Sequence, residues 1–408
     1  MIIADLHIHS RFARGCSKNI TIDNLEKWGK IKGIDLLGTG DFQHPIWNRE
    51  LKNKLEEFYQ GIYQTSSGFK FLLSTEISNI FTQDGKGRRV HNIILVPSFE
   101  VGDQIIEELS KKGRLDYDGR PIFGFSCIEL VDMMMGISKD IEIIPAHAFT
   151  PWFSIFGSKS GFDTVEECFK DNSKYIHAFE TGMSSDIEMN RRISTSDKYN
   201  LVSFSDSHSF WPWRLGREAT IFDTKFFYKD IINAIRTGNG LNKTIETFPE
   251  YGKYHYDGHR NCGISFNPEE SIKHNKICPK CGSLLTIGVL NRVEELADRK
   301  ESKNAKDSFK LIPLTELIAA VYGIEQLTSK KVWEIYNSLI NAFGNEFNIL
   351  LKVNGRELER VVNKKLVDII LKNREGKLEI LAGYDGVYGK VVLSENEVMA
   401  VQKKLQNF

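Results

Sequence analysis

Histidines and carboxylates recur through the first 210 residues at intervals that suit a metal cluster. Asp5-Leu6-His7-Ile8-His9 closes an apolar run, Asp41 follows a second with His44 close behind, and Glu76 ends Phe-Leu-Leu-Ser-Thr. His91 flanks Asn-Ile-Ile-Leu-Val, His147 follows Glu-Ile-Ile-Pro-Ala, and Asp206 and His208 follow Leu-Val-Ser-Phe-Ser. Side chains i and i+2 of a strand point to one side, so His7 with His9, and Asp206 with His208, can each address one ion. Neutral imidazole and carboxylate are ordinary ligands of Zn²⁺ and Mn²⁺. One histidine at a strand end is a common hydrogen-bonding residue, but six of the ten histidines fall in this series. His177, inside a strand candidate, reads as structural. Metal ions lower the pKa of water toward neutrality and polarise a bound ester, so the series points to hydrolysis by metal-activated water. Asp206 or a histidine would relay the proton.

A second constellation has a different chemistry. His259-x2-Cys262 and Cys278-x2-Cys281-Gly282 are separated by 15 residues. This spacing predicts a closed, four-ligand structural zinc site, with His255 and His274 as alternatives to His259. So small a segment has little apolar material, and zinc would supply its folding energy. Cys16, Cys127 and Cys168 are isolated and read as indifferent or buried thiols.

The first series needs elements that carry its members to one edge. Strands are expected over 2–7, 33–39, 69–75, 90–96, 141–145, 176–180 and 201–205. Helices are expected over 23–32, 48–66, 101–112, 163–169 and 228–237. The alternation predicts a mostly parallel sheet, open or closed into a barrel, with ligands at the C-terminal ends of its strands. Near residue 239 the texture changes to Gly, His, Cys and Pro. Helical patterns return over 293–300, 313–322, 329–343 and 357–374. Three domains follow: a metal-dependent hydrolase domain over 1–240, a zinc module over 241–290 and a helical domain over 291–408.

Bulk composition narrows the partners. The 408 residues carry 54 basic and 54 acidic side chains, so nucleic-acid binding must come from local patches. No run of 18 apolar residues predicts a membrane span, and the absence of a signal peptide makes the cytoplasm the expected compartment. Between 352 and 377 eight basic residues (Lys352, Arg356, Arg360, Lys364, Lys365, Lys372, Arg374, Lys377) face four acidic ones. They read as a solvated face or as contacts to a phosphate backbone. Aromatics follow two of the metal motifs: Phe149, Trp152, Phe153 and Phe156 after His147, and Phe210, Trp211 and Trp213 after His208. They belong to the core, or to loops that wedge into a base stack. Trp152 and Phe153 are the candidates for a base pocket. Arg88 and Arg191, with Arg89 and Arg192 beside them, are the candidates for phosphate contact.

In order, DLHIHS, TGD, STE, AHA and SDSH resemble the metal motifs of the PHP (polymerase and histidinol phosphatase) superfamily. The resemblance implies an α/β fold with a distorted (β/α)7 barrel and a trinuclear site. His7, His9, Glu76 and Asp206 would hold the first metal. Glu76 would bridge to a second, with His91 and His147, and Asp41 and His208 would serve the third. The superfamily carries an adjacent Asp-His pair at its second motif; here Phe42 follows Asp41, and His44 is the nearest imidazole.

Longer blocks resemble endonuclease Q: GTGDFQHP, AHAFTPWFSIFGS, SDSHSFWPWRLGREA, YHYDGHRNCG, ICPKCGSLLTIGVLNRVEELADR and AGYDGVYGK. That resemblance implies a DNA-repair endonuclease cutting 5′ of deaminated bases (uracil, hypoxanthine, xanthine) or abasic sites. Its catalytic residues would be Glu76, Asp206 and His208. Its cofactors would be two or three divalent ions (Zn, Mn or Fe) and one structural Zn. Its partners would be damaged double- or single-stranded DNA and repair or replication proteins. The alternative is a PHP-type phosphatase acting on a small monoester, against which the roughly 170 residues beyond the barrel count.

Overall fold

A computed structural model describes residues 1–393; residues 394–408, the end of the expected helical domain, lie outside the described residues. Seven strands form its centre: β1 (Ile2–Asp5), β2 (Leu36–Gly38), β3 (Lys70–Gln83), β4 (Lys86–Val96), β5 (Glu142–Pro145), β6 (Ala178–Glu180) and β7 (Asn200–Val202). Their pairings follow a circuit. β1 pairs β2 and β2 pairs β3 in parallel, β3 pairs β4 and β4 pairs β5 antiparallel, and β6 pairs β7 in parallel. Parallel bridges Ile143↔Ile176 and Ile8↔Ser207 join β5 to β6 and β7 back to β1. One buried core draws on every member: Leu6 just beyond β1, then Leu36, Leu72, Ile93, Ile144, Ala178 and Val202.

The expectation of a mostly parallel sheet needs correction. β4 runs against both neighbours, and two further strands, Ala219–Phe222 and Leu241–Glu246, add antiparallel to β1 and to each other. The missed signal is Asp84-Gly85 between Gln83 and Lys86, which pair across the turn. Both turn residues have positive φ, 53° and 72°, the geometry of a two-residue hairpin loop that favours Asp-Gly. β3 therefore runs on to Gln83, and Glu76 sits within it instead of ending it.

Two expected helices also break. The one over 48–66 is a helix only at Pro45–Lys54; Glu56–Tyr59 and Ile62–Gln64 form a hairpin that extends the sheet beside β3. Alternation of side chains around Gly61, at φ 79°, outweighs the Glu and Lys content there. The helix over 357–374 becomes Gly355–Leu358 and Lys364–Arg374, because Asn363 caps the second by accepting from Leu366 N–H. Cys127–Ile137 is a helix not foreseen, opened by a Ser126/Glu129 capping box.

Leu241–Glu246, on the far side of the expected boundary at 240, pairs with Ala219–Phe222 and with Ser308–Lys310. The helical segment is keyed to the ring by a buried ion pair. Lys32 Nζ, at the end of helix Ile22–Lys32, lies 2.7 Å from Glu346 Oε1, and Glu346 also accepts from Tyr336 Oη and Leu314 N–H. Trp211 and Trp213 stack and pack on Trp333 of that segment. The aromatics after His208 are thus packing residues, which removes them as base wedges. Among the described residues no helix is long and apolar enough to cross a membrane.

Candidate metal centre and its cavity

The register of β3 and β4 explains the heart of the site. Residues two apart share a face, so the face that buries Leu72 presents Glu76 four residues on. Ile93 lies opposite Glu76, and His91 follows on the same face of β4. The ring then brings His7 and His9 from the end of β1, His147 from the end of β5 and Asp206 from the end of β7. Ligand atoms of His7, His9, Glu76 and Asp206 lie within 4.8 Å of one another, as do those of Glu76, His91 and His147. Glu76 belongs to both groups. Its Oε1 is 2.9 Å from His91 Nδ1 and 3.1 Å from His147 Nε2, while its Oε2 is 3.3 Å from His9 Nε2.

The donor set fits metal. His7 Nε2, His9 Nε2 and Asp206 Oδ1 are buried and unmatched by any well-formed hydrogen bond, a costly arrangement unless a cation completes it. The electrostatics agree. Burial works against protonation of His7 and His9, but Glu180 and Glu76 at His7, and Asp41 and Asp206 at His9, raise both well above the usual imidazole range. Burial opposes charge on Glu76 as well, and His91, Arg120 and His7 hold its carboxyl well below the carboxylate range. Burial pushes His91 down to about 4 against the pull of Glu76. Protons on His7 and His9 thus balance the carboxylates, and ligation by a metal displaces them.

Backbone strain falls on two members of the groups, His147 and Asp206, and on two residues beside them. Asp41, His147, Phe153 and Asp206 have φ of 45°, 30°, 59° and 46°, a region that non-glycine residues enter at a cost and that clusters at functional sites.

Not every candidate joins the groups. Asp41 accepts from Ser10 N–H at 2.6 Å and faces His9 Nδ1 at 3.0 Å, so it fixes the His9 ring. His208 lies beside Asp206, with Nδ1 3.0 Å from its carbonyl oxygen, and is outside both groups. His44 stacks on Phe12 at 4.1 Å, away from the cluster, and Phe42 is buried in the apolar core. His177 pairs with Glu142 at 3.0 Å, a structural contact.

Residues that the sequence reading passed over complete the site. Glu180, fully buried, holds His7 Nδ1 at 3.0 Å and accepts from His147 N–H at 2.6 Å. It ends β6, so the strand-end rule that selected Glu76 would have found it. Arg120 donates to Glu76 Oε2 at 3.1 Å, and Thr150 Oγ1 lies 2.9 Å from His147 Nδ1. Neither carries a signal in sequence.

Above the cluster opens a cavity of about 350 Å³, lined among others by Asp206, Arg120, Trp152, Phe153, Arg217 and Lys253. Trp152 meets Tyr254 edge-on at 5.7 Å, and Phe153 lies 4.7 Å from His91. The two phosphate candidates are not at this cavity. Arg88 donates to Gly161 O and stacks over Phe162 at 3.9 Å. Arg191 donates to Ser196 O and Tyr199 O, fastening a turn. Arg374 likewise caps carbonyls of 349, 350 and 353, leaving the other seven basic residues of 352–377 exposed.

The second group, His259, Cys262, Cys278 and Cys281, also lies within 4.8 Å. His259 Nδ1 is 3.4 Å from Cys281 Sγ. The alternatives are engaged elsewhere: His255 lies 3.1 Å from Ser184 O, and His274 stacks on Phe266. Among the described residues the local buried core is Ile264, Cys278 and Leu285, with Cys262 and Phe266 packed against it.

A family model described as the MJ0043 C-terminal domain matches residues 313–377. Protein MJ0043 of Methanocaldococcus jannaschii is 33% identical over 259 residues, 62% of this chain but only 32% of that longer protein. YqxK of Bacillus subtilis is 30% identical over 96% of this chain and 99% of its own length. Two solved structures cover the whole architecture. The lesion-specific endonuclease PfuEndoQ from Pyrococcus furiosus superposes with a TM-score of 0.85 at 29% identity, over 100% of this chain and 99% of that one. An endonuclease Q bound to a 27-mer duplex with an abasic lesion at its active site superposes with 0.87 at 30% identity, over 97% of each chain. This chain belongs to the endonuclease Q family. As in those endonuclease Q structures, the mixed α/β region and the helical segment are parts of one chain-long match, so the metal groups and the cavity stand in the setting of a nuclease fold.

Proposed function

We propose that this protein is a metal-dependent DNA-repair endonuclease that hydrolyses the phosphodiester 5′ of a deaminated base (uracil, hypoxanthine or xanthine) or an abasic site. The observation that carries the reading is Glu76, shared by two ligand groups whose members His91, His147 and Asp206 line one cavity, in a chain that matches endonuclease Q from end to end. On this reading the seven-stranded circuit is a PHP-type barrel, and the Cys/His group is a structural zinc site.

Divalent ions (Zn, Mn or Fe) held by His7, His9, Glu76, Asp206, His91 and His147 would supply an activated water and charge stabilisation at the phosphoryl oxygens. The protein's own groups do the rest. Glu180 and Asp41 fix the rings of His7 and His9 through their Nδ1 atoms, leaving Nε2 for ligation. His208, at the cavity wall with its pKa lowered mainly by burial, is neutral near pH 7 and able to accept a proton. Trp152 and Phe153 present aromatic surface where an extruded base would stack.

End-labelled oligonucleotides with one uracil, hypoxanthine or abasic site, incubated with and without chelator, test the reading. Cleavage 5′ of the lesion, lost on chelation and in Asp206→Asn, is expected. Activity on phosphomonoesters without cleavage of lesion DNA refutes it. Trp152→Ala with Phe153→Ala is expected to lower the ratio of cleavage at uracil over undamaged DNA at least tenfold; an unchanged ratio removes them from recognition.

A further inference from the structure

The loop Gly383-Tyr-Asp-Gly-Val-Tyr-Gly389 runs back from the helical segment to the cavity wall and grips the stretch 250–256. Gly383 N–H donates to Glu250 O at 2.8 Å, Gly386 N–H to Lys253 O at 2.8 Å, and Tyr256 N–H to Gly383 O at 2.9 Å. The approach is so close that a Cβ on Gly383 would collide with Gly252 O, and one on Gly389 with Glu250 O. Lys253 is therefore held on a braced wall of the cavity.

Arg217 stands on the same wall. It is buried, with Nε donating to Ser205 O at 3.0 Å, immediately before the ligand Asp206. Its Nη1 reaches Tyr388 Oη at 3.5 Å, while Arg214 lies over the Tyr388 ring at 4.7 Å and Lys253 Nζ lies 5.9 Å from it. Among the described residues neither Arg217 nor Lys253 forms an ion pair with a carboxylate; Arg214 has only Glu316, at 3.9 Å. Three cations thus surround one phenol. Burial alone would raise the Tyr388 pKa, yet Arg217, Arg214 and Lys253 bring it down to about 8. A buried guanidinium normally has a counter-charge in contact; Glu218 and Asp206 act on Arg217 without pairing with it. Arg120, the other cation of the cavity, already has Glu76.

We propose that Lys253 and Arg217 form a subsite for a backbone phosphate that flanks the scissile one. Guanidinium and ammonium are the groups that bind phosphodiester oxygens, the first as a fork and the second as a point charge. The inference rests on the DNA-endonuclease reading and adds to it the place where the neighbouring phosphate is held. It also gives the C-terminal loop a part in the active site, since Gly386 and Tyr388 hold both cations against the cavity.

Salt dependence tests it. Each phosphate contact adds roughly 0.9 to the slope of log Kd against log salt on duplex DNA. Fluorescence anisotropy is measured on the holoenzyme and a labelled abasic-site duplex whose scissile linkage is a non-hydrolysable methylenephosphonate. Lys253→Ala and, separately, Arg217→Gln are expected to lower that slope by roughly 0.9 each, and Lys253→Arg to retain it. Thermal melts identify any variant that fails to fold, and Lys253, half-exposed, is the safer of the two sites. A wild-type slope in Lys253→Ala overturns the subsite. A wild-type protein that cuts no lesion duplex overturns the endonuclease reading instead, so the two failures are distinguishable.

Discussion

Glu180→Gln is the sharpest test of how the metal groups are organised. The Glu180 carboxylate accepts from His7 Nδ1 in one group and from the His147 backbone N–H in the other. The isosteric amide keeps an oxygen for His7 but turns an NH2 donor toward the His147 N–H. Hydrogen bonds to a charged acceptor contribute about 1.5–3 kcal/mol each, and part of that loss falls on folding. The part that reaches the metal is the loosening of His7 and His147, for which removal of such a partner costs about 10–100-fold in affinity, or roughly 1.4–2.8 kcal/mol. Chelator competition with elemental analysis measures it directly, and melting of the metal-free proteins separates the folding cost. Metal affinity within twofold of wild type in Glu180→Gln would show that the ligands are positioned without it and would refute the reasoning.

Lys32→Met leaves the buried Glu346 without its cation and is expected to cost about 3–5 kcal/mol in stability. A denaturant midpoint equal to wild type contradicts that. Glu218 is buried and its pKa is raised from 4.5 to about 8, with burial outweighing the pull of Arg217. A raised folded-state value means that its contribution is complete below pH 4.5 and is lost as pH rises through 8. Glu218→Gln is therefore expected to lose stability less steeply than wild type as pH rises from 5 to 8, and parallel curves would exclude it. Cys278→Ser is expected to lose one equivalent of zinc and to become susceptible to protease between 257 and 286, because the three-residue core there cannot hold the segment. Retained zinc with an intact segment would show that the group is not a metal site.

The ligand series was legible in the sequence because strand geometry is local. An i, i+2 spacing puts His7 and His9 together whatever surrounds them, and an apolar run followed by His or Asp marks a strand end facing a site. The Cys/His spacing was legible for the same reason. Glu180 obeyed that local rule and was overlooked; Arg120, Lys253 and Tyr388 obey none. Arg120 and Lys253 reach the cavity from 44 and 47 residues beyond Glu76 and Asp206 in the chain, Tyr388 reaches Arg217 from 171 residues on, and only closure of the strand circuit and the return of the 383–389 loop bring them there.

Hairpins and breaks were decided between these extremes. Asp84-Gly85 carries the local signal that reverses β4, but Glu56–Tyr59 reads as helix until its partner Ile62–Gln64 and β3 supply the ladder. The sequence by itself thus determined which residues are candidates for metal chemistry and where most strands begin. Tertiary structure decided which imidazoles share Glu76, that Asp41 faces His9 from outside both groups, and that Arg88 and Arg191 are taken up by backbone carbonyls. The physical reason is that ligand type is a property of a side chain, whereas a shared coordination volume is a property of how distant strands pack.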